Sequence, residues 1–159
     1  MKTARFLGVV ALLVAARVAS AQTATQIVTI QVDAVNVIAF AGSPSLVVNT
    51  AVAGSNPTAA TSAVATWAVT SNQTGSKITA SINSALPAGL TLSVNLAAPA
   101  AATSLGLQSL STSAVDLVTG ITKLAASVLG VTYQLDATAV AGVVASTSRT
   151  VTYTITGGT

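Results

Sequence analysis

The sequence contains no cysteine, no histidine and no glutamate. Without cysteine there is no thiol nucleophile and no disulfide framework. Without histidine, both Ser-His-Asp and Cys-His catalysis are excluded, and with neither residue the usual ligands of transition metals are missing. The only carboxylates are Asp33, Asp116 and Asp136, far apart in sequence, so a glycosidase pair would need two of them to converge by folding. A Ser-x-x-Lys nucleophile is absent, because Thr74 and Gly120 stand three residues before Lys77 and Lys123. No phosphate-cradling glycine loop is found, and Gly157-Gly158 reads as a flexible tail. Calcium needs several oxygens in a short loop. The nearest candidates, Asp33 and Asn36, would point to opposite faces of an alternating strand. The expectation is therefore a non-enzyme with no catalytic, cofactor-binding or metal-binding residues and no cofactor.

Charge is also scarce, at 6% of residues, and unevenly placed. Lys2 and Arg5 precede an apolar run over residues 6–16, and Ala19-Ser20-Ala21 supplies small residues after it. That is the layout of a cleavable signal peptide over residues 1–21, and the apolar run is shorter than the roughly 20 residues a spanning helix needs. Arg17 is unusual so close to the cleavage point. The expected mature chain, residues 22–159, forms a single domain, carries no membrane span and is secreted, extracellular or cell-surface, with the periplasm as the alternative. In it Lys77, Lys123 and Arg149 balance the three aspartates, so its net charge is zero. No basic cluster remains to neutralise phosphates, which argues against nucleic acid. Weak self-repulsion favours association between copies or with other surface proteins.

What the chain has in quantity is Ala, Val, Thr, Ser and Leu. Valine and threonine suit a pleated, half-buried surface, and threonine can face solvent without charge. Alternation of period 2 marks the segments. In residues 26–40 the even positions Val28, Ile30, Val32, Ala34, Ile38 and Phe40 are apolar. A short strand is expected at 46–50 and a loop at 54–57. Residues 63–71, with Ala63, Ala65, Trp67 and Val69 on one face, should form a hairpin with 77–83, where Ile78, Ala80 and Ile82 point inward. A turn at 86–89 leads to a strand at 91–96 with Leu92, Val94 and Leu96 on one side. A loop with one short strand near 105–110 follows. Ser113 to Asp116 has the spacing of a capping box, and Leu117, Ile121, Leu124 and Val128 could continue one helical turn. Residues 131–138 and 150–156 alternate again. Seven to nine short strands describe an all-β, Ig-like antiparallel sandwich. A membrane barrel would need two aromatic girdles, and residues 22–159 hold only Phe40, Trp67, Tyr133 and Tyr153.

Three features invite sharper readings. Asn72-Gln73-Thr74 matches a glycosylation sequon but sits where a polar turn is expected. Trp67 could stack on a sugar, yet it shares parity with small apolar neighbours and reads as a core anchor. Leu86-Pro87-Ala88-Gly89 reads as a turn rather than a sorting signal. The export signal, the strand spacing and the ending Arg149-Thr150-Val151-Thr152-Tyr153-Thr154-Ile155-Thr156 resemble small secreted bacterial β-sandwich surface proteins, namely pilin-like or spore-coat-U-like subunits. The resemblance implies a structural subunit or adhesin of the bacterial cell surface, matrix or appendage. The rival is a monomeric secreted or periplasmic module that meets a ligand through loops 54–61 or 97–113. Residues 22–40 follow directly after the cleavage point. They read as the first strand of their own sandwich, the alternative being a strand added to a neighbouring copy.

Overall fold

The computed structural model describes residues 21–158, so the expected signal peptide lies outside the described residues except for Ala21. The chain divides into two units at Val32/Asp33. In the first, residues 21–32 form neither strand nor helix and are exposed throughout. The second holds nine strands: β1 (Asn36–Ala41), β2 (Ala60–Ser71), β3 (Ser76–Ile82), β4 (Leu90–Leu96), β5 (Thr103–Ser104), β6 (Gln108–Ser109), β7 (Val115–Ile121), β8 (Leu124–Ala137) and β9 (Val151–Thr156). One 3₁₀ turn, Ala139–Ala141, is its sole helical element among the described residues. No helix there is long and apolar enough to cross a membrane.

The strands form two antiparallel sheets, ordered β1-β2-β8-β4-β6 and β5-β7-β3-β9. Their inward side chains meet in one core. Trp67, Val69, Val94, Leu96 and Val131 come from the first sheet, and Ile78, Leu117 and Ile121 from the second. The expected all-β, two-sheet fold is present. The alternating segments at 63–71, 77–83, 91–96, 131–138 and 150–156 all fall on strands, and Ile78, Ala80, Ile82, Val94 and Leu96 are buried as their parity requires.

The pairing differs from expectation in ways that local features explain. β2 and β3 do not make a hairpin. β2 pairs with β1 and β8, and β3 with β7 and β9, so residues 72–75 carry the chain from one sheet to the other. Ala63 is exposed although Ala65, Trp67 and Val69 are buried, because a bulge between Ser62 and Ala65 switches the face. The expected helical turn near Ser113 is strand β7. Its partner register skips twice: Ile78 pairs with Val118 but Thr79 with Asp116, and Ser76 pairs with Ile121. These two bulges bury Leu117, Val118 and Ile121 together, a spacing that imitates one helical face. Gly120, at φ +75°, takes the backbone conformation the second bulge needs.

The first strand is also shorter than its alternation. It begins at Asn36 because Asn36 is opposite Ser71, the last residue of β2. Beyond that point β2 offers no further ladder. Asn72 closes the end: its amide N–H donates to Val35 O at 3.1 Å, its Oδ1 accepts from Val35 N at 2.7 Å, and its Nδ2 donates to Asp33 O at 2.7 Å. The expected strand at 46–50 does not form; an isolated bridge joins Ala51 to Pro57 instead. Between 97 and 113 there are two short strands rather than one.

Candidate functional site

Two stretches of the second unit stand outside the ladders: residues 43–49, after β1, and residues 143–149, before β9. Among the described residues, no backbone-to-backbone hydrogen bond involves either stretch. Pro44 removes one donor at the start of the first. Each stretch is pinned at its ends. Thr58 N donates to Thr50 O at 2.8 Å, and Ala139 N donates to Asn56 Oδ1 at 3.1 Å. Arg149 donates from Nη2 to Ala85 O at 3.0 Å and from Nη1 to Ser148 O at 2.9 Å. Gly89 holds the neighbouring turn at φ +82°, and a Cβ there would sit 2.7 Å from Ala141 N and from Thr138 Oγ1.

Between the two stretches lies a cleft of about 680 Å³, next to a second of about 510 Å³ that shares Leu46, Val47, Leu90, Leu135, Ser146 and Thr147. Leu92 and Tyr133 from β4 and β8, and Val151 and Tyr153 from β9, line the second part. An aromatic chain runs beneath it. Trp67 stacks on Phe40 at 6.0 Å between centroids, Phe40 stacks on Tyr153 at 3.8 Å, and the hydroxyls of Tyr153 and Tyr133 share a hydrogen bond. All four aromatic residues of the expected mature chain thus lie in one cluster that joins the two sheets. Burial raises the Tyr153 phenol well above its ordinary value, helped by the neighbouring Tyr133; burial raises Tyr133 too, against the hydrogen bond from Tyr153.

Chemically, this cleft can hold apolar groups, and its rims present backbone that lies outside the ladders. Arg149 is the one charged residue lining it, and the Arg149 guanidinium is already engaged by backbone carbonyls. Among the described residues, no nucleophile–base pair faces it.

The residues singled out in the sequence fall elsewhere. Trp67 is 1% exposed and donates from Nε1 to Ala97 O at 3.1 Å, which places it in the core and away from any sugar-stacking role. Asn72 uses its side chain to hold Asp33 and Val35 at the end of β2. Asn36 bonds Gln73 and Ser76 through its side chain. Ser76 is fully buried, and its hydroxyl accepts from Gly158 N. Lys77 beside it reaches Asp116 at 2.9 Å instead. Asp136, on the other sheet, accepts from Gln134 Nε2 at 3.0 Å. Among the described residues no group of three His, Cys, Asp or Glu stands where it could hold a metal ion. Of the two loops considered for ligand contact, Pro57 lines the cleft, whereas no residue of 97–113 does. Sequence reasoning missed residues 143–148, where the only signal was the apolar Val143-Val144 pair outside any alternating run.

None of the family models, curated proteins or solved structures compared with this chain matches it.

Proposed function

We propose that this chain is an exported, non-catalytic structural subunit of the bacterial cell surface, matrix or appendage, built on an Ig-like sandwich and working by association with copies of itself. The observation that carries the reading is the exposed stretch 21–32. Ile27, Val28, Ile30 and Val32 stand 71–96% exposed on a segment without a single charge. A freely diffusing monomer seldom leaves so much contiguous apolar surface to water. Zero net charge over residues 22–159 leaves little repulsion to oppose association. The missing His, Cys and Glu, and the engagement of Asp116 and Asp136 by different partners on different sheets, support a non-catalytic role.

The test is physical. The chain beginning at Gln22 should form oligomers or filaments in light scattering and electron microscopy at micromolar concentration. A monodisperse monomer across a hundredfold concentration range would refute the reading. One observation favours a second reading, a binding module for a small apolar ligand: the cleft volume lies within the usual range for ligand sites. Such a module would remain monomeric with its ligand bound.

A further inference from the structure

Resting on the second reading, in which the cleft is a ligand site, and not on self-association, we infer that the cleft takes a single-chain amphiphile with a carboxylate head. Arg149 and Thr147 hold the head, and the alkyl chain lies along Leu90, Leu92 and Leu135.

The polar side chains at the mouth of the cleft are left with protons to donate. A guanidinium has five N–H donors. In Arg149, Nε and Nη2 donate to Ala85 O at 3.3 and 3.0 Å, and Nη1 donates to Thr147 Oγ1 at 3.0 Å and to Ser148 O at 2.9 Å. One N–H of Nη2 is left over. Thr147 Oγ1 accepts from Arg149, so its own O–H is left over as well. Every partner of Arg149 is neutral. The ion pair among the described residues is Lys77 with Asp116, and no carboxylate lines the cleft. A half-buried cation beside surplus donors is complemented by a group that carries negative charge and has no proton of its own. An ionised carboxylate is such a group, and its two oxygens match the two surplus donors on Arg149 and Thr147.

The wall behind these donors sets the rest of the ligand. Leu46, Val47, Leu90 and Leu135 line both parts of the cleft, and Leu92 lines the part that holds Arg149. None of these side chains can make a hydrogen bond. A sugar laid against them would leave its hydroxyls without partners, at a cost that hydrocarbon avoids. The two ends of the ligand share one space, because Thr147 lines both parts of the cleft and Arg149 lines the same part as Leu92. The two parts, about 680 and 510 Å³, are of the size that holds one small molecule. Burial keeps the phenols of Tyr133 and Tyr153 protonated, so neither supplies a negative charge to Arg149 from within the fold.

Calorimetric titration of the chain starting at Gln22 tests this with three probes of equal tail: dodecanoate, dodecanol and dodecyltrimethylammonium, each below its aggregation threshold. Dodecanoate should bind one to one and about tenfold tighter than dodecanol, the gain expected of charge-assisted hydrogen bonds at a half-buried site. The cation should bind weakest. Decanoate, shorter by two methylenes, should bind about fifteenfold more weakly than dodecanoate. Arg149→Gln should abolish the preference for dodecanoate and leave dodecanol binding unchanged, and Arg149→Lys should keep part of the preference. The ranking on wild type decides the matter even if a variant fails to fold. If dodecanol binds as tightly as dodecanoate, the carboxylate head is wrong while the apolar-ligand reading stands. If none of the probes binds, both fall. A preference that survives in folded Arg149→Gln, or a cation that binds best, overturns the inference as well. Dodecanoate loaded into phosphatidylcholine vesicles should be drawn off into solution by the protein. Protein that instead stays on the vesicles reads the head at a membrane surface, and the free amphiphile is overturned.

Discussion

Replacing Trp67 removes the largest buried side chain and should separate fold from function. The indole is 1% exposed, stacks on Phe40 and gives its N–H to Ala97 O. Truncating a buried aromatic to alanine costs about 3–5 kcal/mol, as transfer free energy plus the cavity left behind. The carbonyl of Ala97 also loses its donor, a cost of about 1 kcal/mol that sits within that range if water reaches it. For a domain of this size each kcal/mol moves the melting temperature by about 3–5 °C, so Trp67→Ala should melt about 10–20 °C lower. Trp67→Phe keeps a ring against Phe40 and loses the hydrogen bond, so it should fall between the two, about 1–3 kcal/mol below wild type. Thermal and urea unfolding followed by far-ultraviolet circular dichroism measure both, with the urea slope checking that the unfolded state is unchanged. Assembly at a temperature where the variant remains folded should be unaltered, because Trp67 is buried and presents no surface to a partner. An unchanged melting temperature coupled to lost assembly or sugar binding would refute the placement of this residue as a core anchor.

Other perturbations probe the surrounding structure. Tyr153 is raised by burial, so the folded state holds its proton at pH values where the unfolded chain has lost it; stability should be intact below pH 10 and fall as pH rises beyond it. Tyr153→Phe should flatten that alkaline decline and cost about 0.5–1.5 kcal/mol at neutral pH, read by denaturation at a series of pH values. Asp116→Asn breaks an ion pair whose side chains are 45% and 40% exposed, so it should cost less than about 1 kcal/mol and the loss should shrink in high salt. Gly89→Ala forces a side chain into φ +82° and against Ala141 N, so it should lower the melting temperature by several degrees and loosen residues 138–142 to hydrogen exchange.

Much of the sandwich was legible because period 2 survives wherever a strand runs straight. β3 and β9 follow their alternation residue by residue, and β4 buries Leu92, Val94 and Leu96 as expected although Ser93 is buried between them. Alternation reports which face is buried but carries nothing about which edge pairs, so the 72–75 connection looked like a hairpin turn when it changes sheets. Where bulges add residues, the period itself is lost, and β7 showed Leu117 and Ile121 at helical spacing. Residues 26–35 posed the opposite difficulty. Their pattern is that of a strand, but a strand needs a neighbour, and β2 ends at Ser71. The cleft was not legible at all, since its rims are defined by bonds they do not make.

The ladder between β3 and β9 joins Lys77 to Thr156 and Ile82 to Val151. Contacts that far apart along the chain must close a large loop before any bond rewards the closure. Folding dominated by such pairings is slow, typically milliseconds to seconds. The second sheet also cannot be completed until the last strand is available, so a chain emerging from a ribosome or a translocation channel stays open until nearly its whole length has passed through. On the proposed reading of this chain as exported, that delay would keep it threadable for as long as it is in transit, and the native sandwich closes only once Ile155 reaches Ile78.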